Sequence, residues 1–241
     1  MSIIWDNTSS DKFGMILQND IDFDSVERDV EVLEIPGRNG GVIVDNKRYK
    51  IVDFPLHFRM RRLKESVNIE SQIKSATSWL SQLYGFKDLT WIGESEFIYR
   101  AGLNGKAVFK RITASHVDIS VPIRFQPFKY YKDTYSTVRA LKSGESFQNK
   151  GTQPAYPIIT LTGTGNVTLT VNDKTFVIKN ITEGVVIDCE NQVVTDLTKK
   201  HSQMDKVYSY PFPNLKIGSN TISWDNTGFT GTIIERWCEL A

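Results

Sequence analysis

Cysteine is almost absent from this sequence. Cys189 and Cys238 are the only two in 241 residues, too few for the disulfide frameworks that hold small secreted domains. The first residues, MSIIWDNTSSDKFG, lack the basic lead and apolar core of a secretory signal. No apolar run reaches the roughly 18 residues that a membrane-spanning helix needs. The expectation is a chain that folds in a reducing cytoplasm with free thiols, and the sequon matches at Asn7, Asn166 and Asn180 are then coincidental. An excess of one charge is also missing. There are 29 Lys and Arg against 28 Asp and Glu, for a net charge of +1, so no polyanion-gripping surface and no specific nucleic-acid partner are expected.

Histidine is scarce too: His57, His116 and His201 are the three, and no pair has zinc-binding spacing. Gly163-Thr164-Gly165 has no third glycine and no following helix, so it is not a dinucleotide loop. Gly93-Glu94-Ser95-Glu96-Phe97 lacks the second glycine of a nucleophile elbow. Neither cysteine has the basic or histidine neighbour that activates a thiol. Glu94 and Glu96 lie near Trp91, but glycosidase carboxylate pairs normally come from separate strands or loops. No enzyme, no metal and no cofactor are expected. Five tryptophans and nine tyrosines raise sugar stacking by Trp224 or Trp237 as one reading. Packing of a β-sandwich core or a subunit interface is the other, and the favoured, one.

One helix is legible. Ile69, Ile73, Ala76, Leu80 and Leu83 recur at helical spacing, with Glu70, Gln72, Lys74, Ser78 and Gln82 pointing elsewhere. Asn68 or Ser66 can cap its start and Gly85 fits past its end, which predicts a helix over about 67–84. Most of the rest reads as strand. Val117, Ile119, Val121, Ile123 and Phe125 alternate with polar residues, and Pro122 suggests an edge or an interruption. Tyr49–Met60 is similar, and Ile35–Gly41 is a turn-rich loop between two apolar segments. After residue 156, short strands alternate with turn chemistry every ten residues or so, which suggests a β-sandwich. Residues 126–156 lack periodicity and read as a linker, with the boundary near 138. The fold class is mainly β: an N-terminal β-rich domain with one helix over 1–138, then a C-terminal sandwich over 139–241.

Several segments resemble the siphophage distal tail protein family. Tyr156–Asn172 is similar to the start of that family's C-terminal domain, with a proline-led strand, a glycine turn and a hairpin ending in Asn. Val186-Ile187-Asp188-Cys189-Glu190, Phe212–Ile222 and the Ile35–Gly41 loop also resemble family features, as does the helix ending in Trp79-Leu80 before Gly85. The resemblance implies a structural hub of a phage or prophage tail tip. Its N-terminal domain would form a hexameric ring, and a galectin-like C-terminal sandwich would decorate the outside. Implied partners are further copies of the chain, the major tail (tube) protein and the tail-associated fibre or lysin protein, with tape measure and receptor-binding proteins as further candidates. The implied location is the virion tail tip, assembled in the host cytoplasm. Arg38, Asn39, Trp91 and Trp237 are the candidate interface residues. A carbohydrate-binding adhesion module is the alternative. Sugar-binding galectins set His, Asn and Arg around one Trp, whereas residues 155–241 offer only His201 and Arg236 for the basic positions.

Overall fold

A computed structural model describes residues 1–18 and 25–241. The chain divides into two compact units, Met1–Lys129 with Leu240–Ala241, and Tyr130–Glu239. It is mainly β, as the alternating apolar pattern implies.

The N-terminal unit contains β1 (Ile3–Trp5), β2 (Thr8–Ser9), β3 (Met15–Leu17), β4 (Arg28–Glu34), β5 (Gly41–Tyr49) and β6 (Val52–Arg61). Helix α1 (Ile69–Ser81) follows, then β7 (Lys87–Trp91), β8 (Phe97–Leu103), β9 (Val108–Arg111) and β10 (His116–Tyr131). The main sheet runs β2-β1-β7-β8-β10-β6-β3, with β9 also pairing β10, while β4 and β5 form a separate two-stranded ribbon. Strand β10 alternates buried and half-buried residues along most of its length. Its inner side chains Val117, Ile119, Val121, Ile123 and Phe125 are all buried. Each such burial contributes about 1.5–3 kcal/mol.

Pro122 does not put β10 at an edge. The strand lies between β8 and β6, and Pro122 sits directly opposite Pro55 of β6. Pro122 O accepts from Asn104 N at 3.0 Å, on the side away from β6. The N–H and C=O of a strand residue point to the same side, so Pro122–Pro55 is a non-hydrogen-bonded pair and neither missing N–H is needed between these two strands.

Helix α1 is shorter than 67–84. Asn68 Oδ1 caps it by accepting from Glu70 N at 2.9 Å, and the bonds Gln82 N→Trp79 O and Leu83 N→Leu80 O tighten its last turn. Ile69, Ala76, Leu80 and Leu83 are buried as their spacing predicts, but Gln72 is buried with them. Its amide is fully used: Nε2 donates to Phe13 O at 2.8 Å and Arg61 O at 2.7 Å, and Oε1 accepts from Leu63 N at 3.2 Å. Gly14 makes room for this, because at φ +65° a Cβ there would lie 2.4 Å from Arg61 O and 2.6 Å from Gln72 Nε2.

The C-terminal unit begins with the end of β10 and α2 (Lys132–Tyr135), then β11 (Arg139–Leu141) and β12 (Glu145–Asn149). The stretch 126–156 is therefore built of strands and a short helix rather than an aperiodic linker. Next come β13 (Ile158–Thr162), β14 (Gly165–Val171), β15 (Lys174–Ile181), β16 (Gly184–Asp188), β17 (Val193–Thr195), β18 (Gly218–Trp224), β19 (Thr230–Ile234) and β20 (Cys238–Leu240). Two sheets, β11-β19-β13-β16-β17 and β12-β18-β14-β15, enclose one core that includes Leu161, Leu169, Phe176, Ile187, Leu215 and Trp237. The strands of each sheet pair antiparallel, which makes this unit a β-sandwich.

Gln72→Ala orphans one backbone N–H and two backbone carbonyls in the N-terminal core. The expected cost is about 2–3 kcal/mol, read as a lowered urea midpoint with unchanged slope. A change below about 0.5 kcal/mol contradicts the role assigned to this side chain.

Candidate assembly surfaces

The exposed β4–β5 ribbon has its tip at Ile35–Gly40. Arg38 N donates to Ile35 O at 3.1 Å, and Gly37 and Gly40 take φ of +84° and +81°. That is the geometry expected of a Pro-Gly turn followed by a second glycine. Arg38 and Asn39 are both exposed there. The root is tied by cross-strand ion pairs: Arg28–Asp45 at 2.6 Å, Arg48–Asp29 at 2.6 Å and Lys50–Glu27 at 3.1 Å. Tyr49 packs edge-on against Phe128 with ring centroids 5.8 Å apart.

The register sorts the ribbon's side chains by face. Val30 opposes Asp45 and Val32 opposes Ile43 on one face, while Glu31 opposes Val44 and Leu33 opposes Val42 on the other. Both faces are apolar toward the tip, and Val32 and Ile43 are 65% and 69% exposed. The sequence reading did not single these residues out. The available signal was the unalternated run Val42-Ile43-Val44 on one side of a turn and Val32-Leu33 on the other, which reads as a strand apolar on both faces.

The other two candidates lie in cores. Trp91 is 6% exposed and packs on Tyr99 with ring centroids 4.5 Å apart. Trp237 is 2% exposed and packs near Phe147 in the sandwich. The four residues thus occupy three settings: one exposed loop tip and two separate cores. Trp224, the other sugar-stacking candidate, is half-buried and donates from Nε1 to Phe229 O at 3.2 Å.

Several of the polar groups weighed for chemistry are engaged in structure. Glu94 accepts from the Tyr99 hydroxyl and pairs with Lys129 at 3.3 Å. His116 Nδ1 meets the Thr113 and Ser115 hydroxyls, and His201 Nδ1 meets Asp196 at 2.9 Å. Burial pushes the Cys238 thiol up to about 12 and raises that of Cys189 as well. Among the described residues no cluster of His, Cys, Asp and Glu could hold a metal ion, and no helix is long and apolar enough to cross a membrane.

The open face of the main sheet is neutralised in register. Arg59 opposes Asp118 at 2.9 Å, Arg124 opposes Asp53 at 2.8 Å, and Arg100 opposes Asp88 at 3.1 Å. Beside these pairs are two grooves of about 320 and 380 Å³ that share Gln18 and Arg59. Arg61, Lys110 and His116 line them, with apolar Ile16, Val108 and Ile112.

No protein-family profile matches the sequence, and no curated protein matches it. Solved structures do. The distal tail protein (Dit) of phage SPP1, described as a paradigm of the hub adsorption apparatus in phages that infect Gram-positive bacteria, matches with a TM-score of 0.71. That match covers 96% of each chain at 13% identity. Two structures of the phage p2 baseplate in its activated conformation, with strontium and with calcium, match at a TM-score of 0.42. They are 8% and 11% identical and cover 87% and 95% of this chain, and 86% and 91% of their own. The chain therefore has the fold of a distal tail protein, a phage hub fold, across both units.

Several carboxylates gain support on folding. The Arg124 guanidinium holds Asp53 below the usual carboxylate range. The Lys142 N–H, with Arg139, does the same for Glu145, and the Thr168 N–H does so for Asp225. Their stabilisation is present above the unfolded-state values and is lost as pH falls through the folded-state ones. The urea midpoint should stay level from about pH 7 to 5 and fall below about pH 4. A midpoint that rises on acidification contradicts these assignments.

Proposed function

We propose that this chain is a structural hub subunit of a phage or prophage tail tip. The observation that carries the proposal is the fold shared with the SPP1 distal tail protein over nearly the whole chain. In this reading, copies of the N-terminal unit form a hexameric ring. The ring connects the major tail protein of the tube to the tail-associated fibre or lysin protein, and tape measure and receptor-binding proteins attach around it. The C-terminal sandwich is the galectin-like outer decoration. The chain acts by binding and positioning and has no catalytic role. It assembles in the host cytoplasm and resides in the virion.

A ring subunit needs surface that closes by rotation on further copies. An apolar ribbon left exposed in the single chain supplies surface of that kind. The alternative, a carbohydrate-binding adhesion module, is favoured by exposed Tyr208 and Tyr210 on the sandwich, since tyrosine rings can stack on sugars.

Gold-labelled antibody against the chain should mark the distal tip of the tail on intact particles. Residues 1–135 alone should assemble while residues 140–241 stay monomeric. Label confined to the head, or self-assembly of residues 140–241 alone, contradicts the reading. Saturable glycan binding by the full chain together with strict monomeric behaviour would favour the adhesion module instead.

A further inference from the structure

We propose that Asn39 is a site of spontaneous chemical modification, where the side-chain amide is lost through cyclisation onto the backbone nitrogen of Gly40 and the ribbon tip is left carrying aspartate or isoaspartate. The inference stands on the geometry of the ribbon tip and is independent of ring assembly.

The residue pair supplies the chemistry. The backbone nitrogen of Gly40 attacks Cγ of Asn39 and gives up its proton. The bond from Cγ to Nδ2 breaks, and ammonia leaves. This closes a five-membered imide. Water then adds at either imide carbonyl and reopens the ring. One opening gives aspartate, and the other gives isoaspartate, with the backbone routed through Cγ. Water is the only co-reactant, and nothing is oxidised or reduced. Glycine suits the attacking position, because without a Cβ it leaves the approach uncrowded and can take backbone angles closed to other residues.

The fold selects between two such pairs. Asn39-Gly40 and Asn104-Gly105 are the Asn-Gly pairs of the chain, and all four residues are exposed. They differ in freedom. Asn39 sits at the tip between β4 and β5, and a Cβ added at Gly37 or Gly40 would meet nothing within 4 Å. Among the described residues, no hydrogen bond holds the Asn39 side chain or the Gly40 N–H. Such a tip reaches the cyclising geometry at little cost. Asn104 lies between β8 and β9, both of which pair with β10. Its N–H donates to Pro122 O at 3.0 Å, and a Cβ on Gly105 would lie 3.6 Å from Pro122 Cγ. Cyclisation there must first lift the loop off the sheet.

The product changes the tip in two ways. A new carboxylate beside Arg38 lowers the net charge of the chain from +1 by one. Isoaspartate also lengthens the backbone by one carbon inside a turn whose glycines take φ of +84° and +81°. Both changes fall on the exposed tip and on neither core.

The test ages the dilute full chain in mildly alkaline buffer, with and without urea, and measures aspartate and isoaspartate at both sites by peptide mapping and mass spectrometry. In native buffer Asn39 should convert about tenfold faster than Asn104, or more. In urea the two rates should converge, because the unfolded chain gives both pairs similar freedom. Gly40→Ala should slow conversion of Asn39 by about tenfold, in urea as well, where no fold is at stake. Asn39→Gln should remove the product at this site, since cyclisation would need a larger ring. Asn104 should keep its rate in both variants. Equal native rates at the two sites, or a faster Asn104, overturn the selection by the fold. An Asn39 that converts in urea but stays intact in the native chain overturns the site. Conversion that is indifferent to Gly40→Ala overturns the cyclisation.

Discussion

Alternation along β10 is the constraint on which the N-terminal unit depends. Every second side chain from Val117 to Phe125 is buried, and the strand pairs with β6 in one unbroken register from His116–Arg61 to Phe125–Val52. A one-residue slip would turn five apolar side chains to solvent and bring Asp118 and Arg124 into the core. The same register makes the outer face neutral, because it sets Arg59 against Asp118 and Arg124 against Asp53. It also lets two prolines face each other without leaving a gap in the pairing between their strands. The aromatic group Phe54, Phe125, Trp91 and Tyr99 closes one end of this core, with Phe54 and Phe125 stacked at 4.6 Å.

In the sandwich, the segments that resemble the distal tail family turn out to be structural. Asn172 takes φ +54° at the end of its hairpin and accepts from Thr221 N at 3.0 Å. Asn220 is buried, with its amide bonded to Lys216, Gly218 and Asn172. Glu190 accepts from the Tyr130 hydroxyl and from Arg236, each at 2.7 Å. These residues hold turns and strand ends together, so the motifs they belong to report architecture rather than chemistry.

How much was legible in the sequence follows from how local each signal is. The helix and β10 carry their own periodicity, so their faces could be read directly. Gln72 could not, because its burial depends on carbonyls at Phe13 and Arg61 that are distant in sequence. Strands β11 and β12 read as linker because their pairing partners, β19 and β18, lie about 70 to 95 residues further on. The ribbon was visible as two apolar segments around a Pro-Gly loop, but its exposure was not, since an apolar run reads the same whether its own chain or another copy covers it. Trp91 and Trp237, interface candidates in the sequence, are both buried within the single chain.

Ring assembly is the central claim, and light scattering across a concentration series with negative-stain imaging of the heaviest species tests it most directly. The account predicts a species of about six subunits with a central hole. A chain that stays monomeric at high concentration, both alone and with the tail-tube protein present, would contradict it.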